Sequence, residues 1–283
     1  MSSGSKAVYY GSINLLADKK DFKVFVINLD KDFEKREWIK NHFTQREIPF
    51  EFIRGVYGKT IKNQELIEKF DYKNAEIHLG RVVSLNEVGC ALSHQKVYKK
   101  IIDDNLDGAF IFEDDVFLSE NALSIIQNMH KYRNSLPDNV WVSLTESYIY
   151  RRRKILEIGN VCSVFETFRA GGAFGYWIDQ GAAKVLSHLN TPIIFIADHY
   201  RGYISKINKL SIDPCFVGHG VPKLNIQSTI AETRRKVNKK GFLKLKHRRL
   251  RVWSRVHLTP YADLFFGIKK VVLQPTGLGR KMK

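Results

Sequence analysis

The chain has 283 residues, 44% hydrophobic and 27% charged, which is enough for one large α/β domain or two modest ones around a sizeable core. That composition excludes a disordered chain, and no apolar run reaches the roughly 20 residues of a membrane span. Lys and Arg number 46 against 29 Asp and Glu, a net charge of +17, and eleven of the basic residues crowd into residues 234–255 with no acidic one among them. Cys90, Cys162 and Cys215 are widely spaced and form no CxxC pair, which argues against a disulfide scaffold or a structural zinc site and makes a reducing compartment the expectation.

No signal peptide opens the chain, and residues 1–21 read as an N-terminal extension. Residues 23–29, short and β-branched, predict a buried strand. A helix follows over 32–46, where Phe33, Trp38 or Ile39, and His42 with Phe43 recur at helical spacing. Residues 48–53 predict a second strand, and 64–70 a short helix inside an otherwise unplaced stretch. Ser84-Leu85-Asn86-Glu87 has the form of a capping box, opening a helix whose buried stripe runs through Val88, Ala91 or Leu92, Tyr98 and Ile101 or Ile102.

Asp107-Gly108 turns the chain into an apolar strand over 109–112 that stops at Glu113-Asp114-Asp115. Beyond it come a helix over 119–133, strands over 140–144, 161–165 and 173–178, a helix over 181–189 and a late strand over 211–217. Strands alternating with amphipathic helices predict an α/β fold with a mostly parallel open sheet. The composition turns basic after Ala231, so residues 22–230 are taken as the main domain and 231–283 as a basic tail.

Three carboxylates straight after a buried strand are the strongest site signal, because open α/β sheets bind ligands at the carboxyl ends of their strands. Adjacent like charges are costly unless a cation joins them, and a hard divalent ion such as Mn²⁺ or Mg²⁺ would relieve the repulsion. The competing reading is a solvated acidic turn that caps the next helix.

Phe112-Glu113-Asp114-Asp115-Val116 resembles the EDDV signature of the family 25 glycosyltransferases, the bacterial lipooligosaccharide group that includes β-1,4-galactosyltransferases. Val26-Ile27-Asn28-Leu29 with Arg36 resembles that family's opening strand. Leu85 to His94, with Gly89-Cys90 and Ser93-His94, is similar to its helix start, and Gly171 to Tyr176 to its Gly-rich strand. Gln227-Ser228-Thr229-Ile230 is similar to the end of its domain. The motifs occur in family order over residues 22–230.

The resemblance implies a GT-A type, Rossmann-like fold and transfer from UDP-galactose onto a lipooligosaccharide or lipopolysaccharide glycan with inversion. A UDP-glucose-dependent enzyme is the runner-up. Carried over residue by residue, it puts Asp115 on the metal and Glu113 or Asp114 toward the ribose or the metal's waters. Asn28, Leu29 and Arg36 would lie near the nucleotide, and Ser93 or His94 would bond ribose or phosphate. Inversion needs a base; Asp198 after an apolar run is preferred, with Glu146 as competitor or acceptor ligand. By position His219 would complete the metal shell. Gly172 and Gly175 permit close approach of a sugar or mark a bulge, and Gln227 belongs on the acceptor side.

In the tail, Phe242, Leu243, Leu245, Leu250, Val252 and Trp253 are interleaved with the charges of 234–255, a pattern suited to an anionic inner-membrane surface. The expected location is therefore cytoplasmic and peripheral to that membrane. Nucleic-acid binding would use the same charges but leaves the acidic cluster facing a repelled ligand, so no nucleic-acid partner is expected. A flexible solubilising tail is the third reading.

Overall fold

The computed structural model describes residues 22–145, 148–170, 172–197, 206–220 and 268–270. Its frame is a nine-stranded sheet with helices on both faces. The chain enters at β1 (Val24–Asn28), passes through α1 (Phe33–Thr44) and returns in β2 (Glu51–Arg54), which pairs parallel with β1. Helices α2 (Asn63–Lys69), α3 (Tyr72–Leu79) and α4 (Leu85–Asp103) then lead to β3 (Gly108–Glu113) on the other side of β1, again parallel.

Alternation along these strands divides the core. Val24 and Val26 of β1, with Phe110 and Phe112 of β3, face the side covered by α1 and by α5 (Ala122–Lys131). Phe25, Ile27, Ala109 and Ile111 face α4 and α6 (Gln180–Leu189). Each fully buried Phe or Ile contributes about 1.5–3 kcal/mol, so the two layers hold the strand ends rigidly. The capping box at α4 forms as expected: Ser84 accepts from Glu87 N–H, the Glu87 carboxylate accepts from Ser84 N–H, and Arg81 clamps Glu87 with two nitrogens.

The second half departs from the expected sheet. After β4 (Val116–Leu118) come β5 (Val140–Ser143), β6 (Tyr148–Ile158), β7 (Cys162–Ala170), β8 (Gly175–Asp179), β9 (Asn208–Asp213), β10 (Val217–His219) and β11 (Ile268–Lys270). The nine strands lie in the order β11-β6-β7-β9-β5-β8-β3-β1-β2. Only β1–β2, β1–β3 and β5–β9 are parallel, so the sheet is mixed. Among the described strands the parallel expectation holds for β1, β2 and β3 and for the β5–β9 pair, and the other pairings are antiparallel. Strand β8 lies antiparallel between β3 and β5 and is buried on both faces, which gives it the same uninterrupted apolar signature as a parallel strand.

Strand β6 was not foreseen, because its Arg151-Arg152-Arg153-Lys154 run lacks apolar alternation. It pairs with β7 through several register shifts. The single strand expected over 211–217 is two: Pro214, with no N–H to give a ladder, separates β9 from β10. Residues 268–270, within the segment read as a helical or flexible tail, form β11 on the edge of β6. No helix among the described residues is long and apolar enough to cross a membrane.

Candidate functional site

The chain leaves β1 for β2 on one side and comes back to β3 on the other, so the carboxyl ends of β1 and β3 form the topological switch point at which open α/β sheets bind ligands. Asn28 ends β1 there and Glu113-Asp114-Asp115 follow β3. Asn28 is 1% exposed. Its side-chain amide donates to Asp114 Oδ2 at 2.9 Å and its Oδ1 accepts from Arg36 Nη1 at 3.2 Å. The Arg36 guanidinium also lies 4.3 Å from the Phe52 ring centroid, which fixes its plane. Leu29 contributes its carbonyl, which accepts from Asp32 N–H and shapes the turn into α1.

Lys35 is the residue that the motif reading missed. Its side chain, 13% exposed, places Nζ 2.7 Å from Asp114 Oδ1 and 3.5 Å from Asp115 Oδ2. The first turn of the helix after β1 must lie over the strand's carboxyl end, and that position is the only sequence signal that marks it. Burial works against the charge on Lys35, but Asp115 and Asp114 outweigh it and hold the ammonium above its ordinary pKa. Burial pushes Asp114 up to about 6, with Asp115 adding to the rise and Lys35 opposing it. The cation expected to join the carboxylates is thus supplied in part by the chain itself.

The three carboxylates diverge. Glu113 turns toward α4, where His94 Nε2 is 3.4 Å and Cys90 Sγ 3.7 Å from its Oε1. Both oxygens of Asp114 are engaged by Asn28 and Lys35. Asp115 faces β10, which pairs antiparallel with β4 and sets His219 opposite Val116. His219 Nε2 stands 3.5 Å from Asp115 Oδ2, and Gly220 N–H donates to the Asp115 carbonyl. Burial would raise the pKa of Asp115, but His219 and Lys35 hold it below the usual carboxylate value, and Asp115 in turn raises that of His219. The other carboxylate oxygen, Asp115 Oδ1, is buried with no hydrogen-bond partner among the described residues. A buried anionic oxygen left unmatched is expensive.

The structure therefore brings together Asn28, Arg36, Asp114, Asp115 and His219, with Glu113 and His94 on the adjoining flank. The Ser93 hydroxyl donates to Gly89 O and accepts from Val56 N–H, joining the loop after β2 to α4. Gly175 is a packing residue, since a Cβ there would meet Val217 Cγ1 at 2.7 Å, and Gly172 turns the chain at φ +77°. Glu146, Asp198, Gln227 and residues 234–255 lie outside the described residues.

A switch point of this construction is that of the open-sheet α/β class. Comparison with known proteins narrows the class. The profile of glycosyltransferase family 25, described as an LPS biosynthesis protein, matches residues 21–201, and the chain belongs to that family. A Haemophilus influenzae protein named only as a glycosyltransferase is 29% identical over 231 residues, covering 76% of this chain and 77% of that one. Lipooligosaccharide biosynthesis protein lic2B of Haemophilus influenzae is 38% identical over 179 residues, 58% of this chain and 61% of its own length. Human procollagen galactosyltransferase 2 is 27% identical over 193 residues, 63% of this chain but 29% of that protein.

Proposed function

We propose that this family 25 glycosyltransferase is a GT-A type, inverting enzyme that moves galactose from UDP-galactose onto a lipooligosaccharide or lipopolysaccharide glycan. The observation that carries the reading is the partnerless, buried Asp115 Oδ1 beside His219 at the switch point. An oxygen ligand with an imidazole next to it suits Mn²⁺ or Mg²⁺, and Asp115 and His219 would hold the ion. When bound, it supplies positive charge for the departing nucleoside diphosphate.

The chain's own groups act around it. Lys35 stands between the two aspartates and can transfer part of its charge interaction to a diphosphate oxygen. Asn28, locked by Asp114 and Arg36, presents a fixed polar edge at the end of β1. Asp198 takes the proton from the attacking hydroxyl, with Glu146 as the competing base or acceptor ligand, and Gln227 lies on the acceptor side. The name of the procollagen galactosyltransferase relative supports a galactosyl donor, and that of lic2B supports a place in lipooligosaccharide biosynthesis. The basic segment 234–255 attaches the enzyme to the anionic inner face of the membrane.

A second reading rests on Lys35: with an ammonium already at 2.7 Å from Asp114, the enzyme works without a metal, and Lys35 alone balances the leaving diphosphate. Thermal-shift titration with UDP, in Mn²⁺ and in EDTA, separates the two. Saturation at about 100 times the dissociation constant stabilises the fold by about 2.7 kcal/mol. A Mn²⁺-dependent shift supports the metal reading, an EDTA-insensitive shift the Lys35 reading, and no shift with UDP removes the donor assignment. Hydrolysis rates of UDP-galactose against UDP-glucose then choose the sugar.

A further inference from the structure

A second group of ligand-bearing side chains converges on the flank of β3 that faces α4. Cys90 and His94 stand four residues apart on α4, so they share one helix face, and Glu113 is the last residue of β3. One ligand atom from each falls within 4.8 Å of the other two. His94 Nε2 to Glu113 Oε1 is 3.4 Å, longer than a charge-assisted hydrogen bond, and Cys90 Sγ to the same oxygen is 3.7 Å. A tetrahedral ion about 2.3 Å from sulfur and about 2.0–2.1 Å from nitrogen and oxygen has N–O edges of about 3.4 Å and S–O edges of about 3.6 Å. The Nε2–Oε1 and Sγ–Oε1 separations match those edges.

The imidazole is oriented for a cation. The Tyr176 hydroxyl donates to Tyr98 at 3.2 Å, so its oxygen accepts from His94 Nδ1–H at 2.7 Å. Nε2 points at the Glu113 carboxylate, which accepts from it when it carries a proton and can share a cation with it when it does not. A hydroxyl holding the far nitrogen of a ligating histidine is also the outer shell that metal sites require. Glu113, with its side chain 24% exposed, gives the cluster a path to solvent, while His94 is buried.

We propose that Cys90, His94 and Glu113 bind a thiophilic divalent cation such as Zn²⁺, tying α4 to the end of β3 and leaving a fourth position open to solvent. The site is distinct from Asp115 and His219 and does not depend on the donor reading. Its sulfur ligand selects a softer ion than the oxygen-rich neighbour does, and binding releases the thiol proton to water.

The test uses Co²⁺ as a spectroscopic stand-in for Zn²⁺ on the full chain. Wild type is expected to bind Co²⁺ with a thiolate-to-cobalt charge-transfer band that stoichiometric Zn²⁺ removes. Cys90→Ser and Glu113→Gln, both near-isosteric, keep the circular dichroism of wild type; Cys90→Ser abolishes the band. Tyr176→Phe keeps the band but weakens Zn²⁺ binding by about 10–100-fold. Cys215→Ser and Asp115→Asn leave it unchanged. A band that survives Cys90→Ser, or that disappears in Asp115→Asn, overturns the assignment. So does a wild type that gives no band, which would make the cluster a His94–Glu113 ion pair and nothing more.

Discussion

Asp114 and Asp115 are neighbours in sequence and equally buried, yet they belong to two different regions. Asp114 faces the β1–α1 corner, where Asn28 and Lys35 occupy both its oxygens and Arg36 braces Asn28. Asp115 faces the small β4–β10 sheet, where His219 attends one oxygen and the other has no partner among the described residues. The first region is a closed network whose work is geometry. The second has an unspent interaction, and unspent interactions are where ligands gain affinity.

Breaking the closed region should have the largest effect on stability. Lys35→Met removes the cation shared by two buried carboxylates and should destabilise the fold by about 3–5 kcal/mol, measured by urea denaturation. A loss under about 1 kcal/mol would mean that solvent already screens the pair. The open region should behave differently. Asp115→Asn should cost less stability, about 1–3 kcal/mol for the charge that His219 and Lys35 stabilise, while lowering transfer or donor-hydrolysis rates by about 10²–10³-fold. Equal losses of stability in both variants would erase the contrast between the regions.

The smallest effect concerns the attachment of β4, the strand through which the open region is built. Leu118 N–H donates to His42 Nε2 at 2.8 Å, which requires an unprotonated nitrogen. Burial, aided by the nearby Arg46, lowers the His42 pKa from 6.5 to about 4. Because the native pKa lies below the unfolded one, the unfolded chain binds more protons between these values. Stability is then fully present above about pH 6.5 and is lost as pH falls toward 4, by up to about 3 kcal/mol. His42→Gln should flatten that part of the stability–pH curve. The protection factor of the Leu118 amide should fall on acidification before those in β1 do; simultaneous falls would show that β4 is not separately anchored.

Residue order alone located β1, β3, the capping box of α4 and the acidic end of β3, since each depends on neighbours within a few positions. The pairing of Asp115 with His219, residues far apart in the chain, was legible only through position in an ordered set of motifs, and β10 realises it by lying antiparallel to β4. Ser93 was expected at a helix start, but α4 begins at Leu85 and Ser93 lies in its third turn. Its partners, Gly89 and Val56, are visible only once the loop after β2 folds back on α4. Lys35 was passed over because a lysine on a helix usually points to water.

Local pattern specified which segments are strands and helices and that a charged cluster follows a buried strand, because periodicity and caps act over a few residues. Folding in three dimensions chose what that pattern leaves open. Strand direction is not encoded in burial, so β8 could be read in either sense until it paired with β3 and β5. The partners of three adjacent carboxylates are set by long-range packing, which sends Glu113 to α4, Asp114 to α1 and Asp115 to β10. A side chain's chemistry belongs to its sequence position, but its electrostatic environment comes from residues that the fold brings beside it.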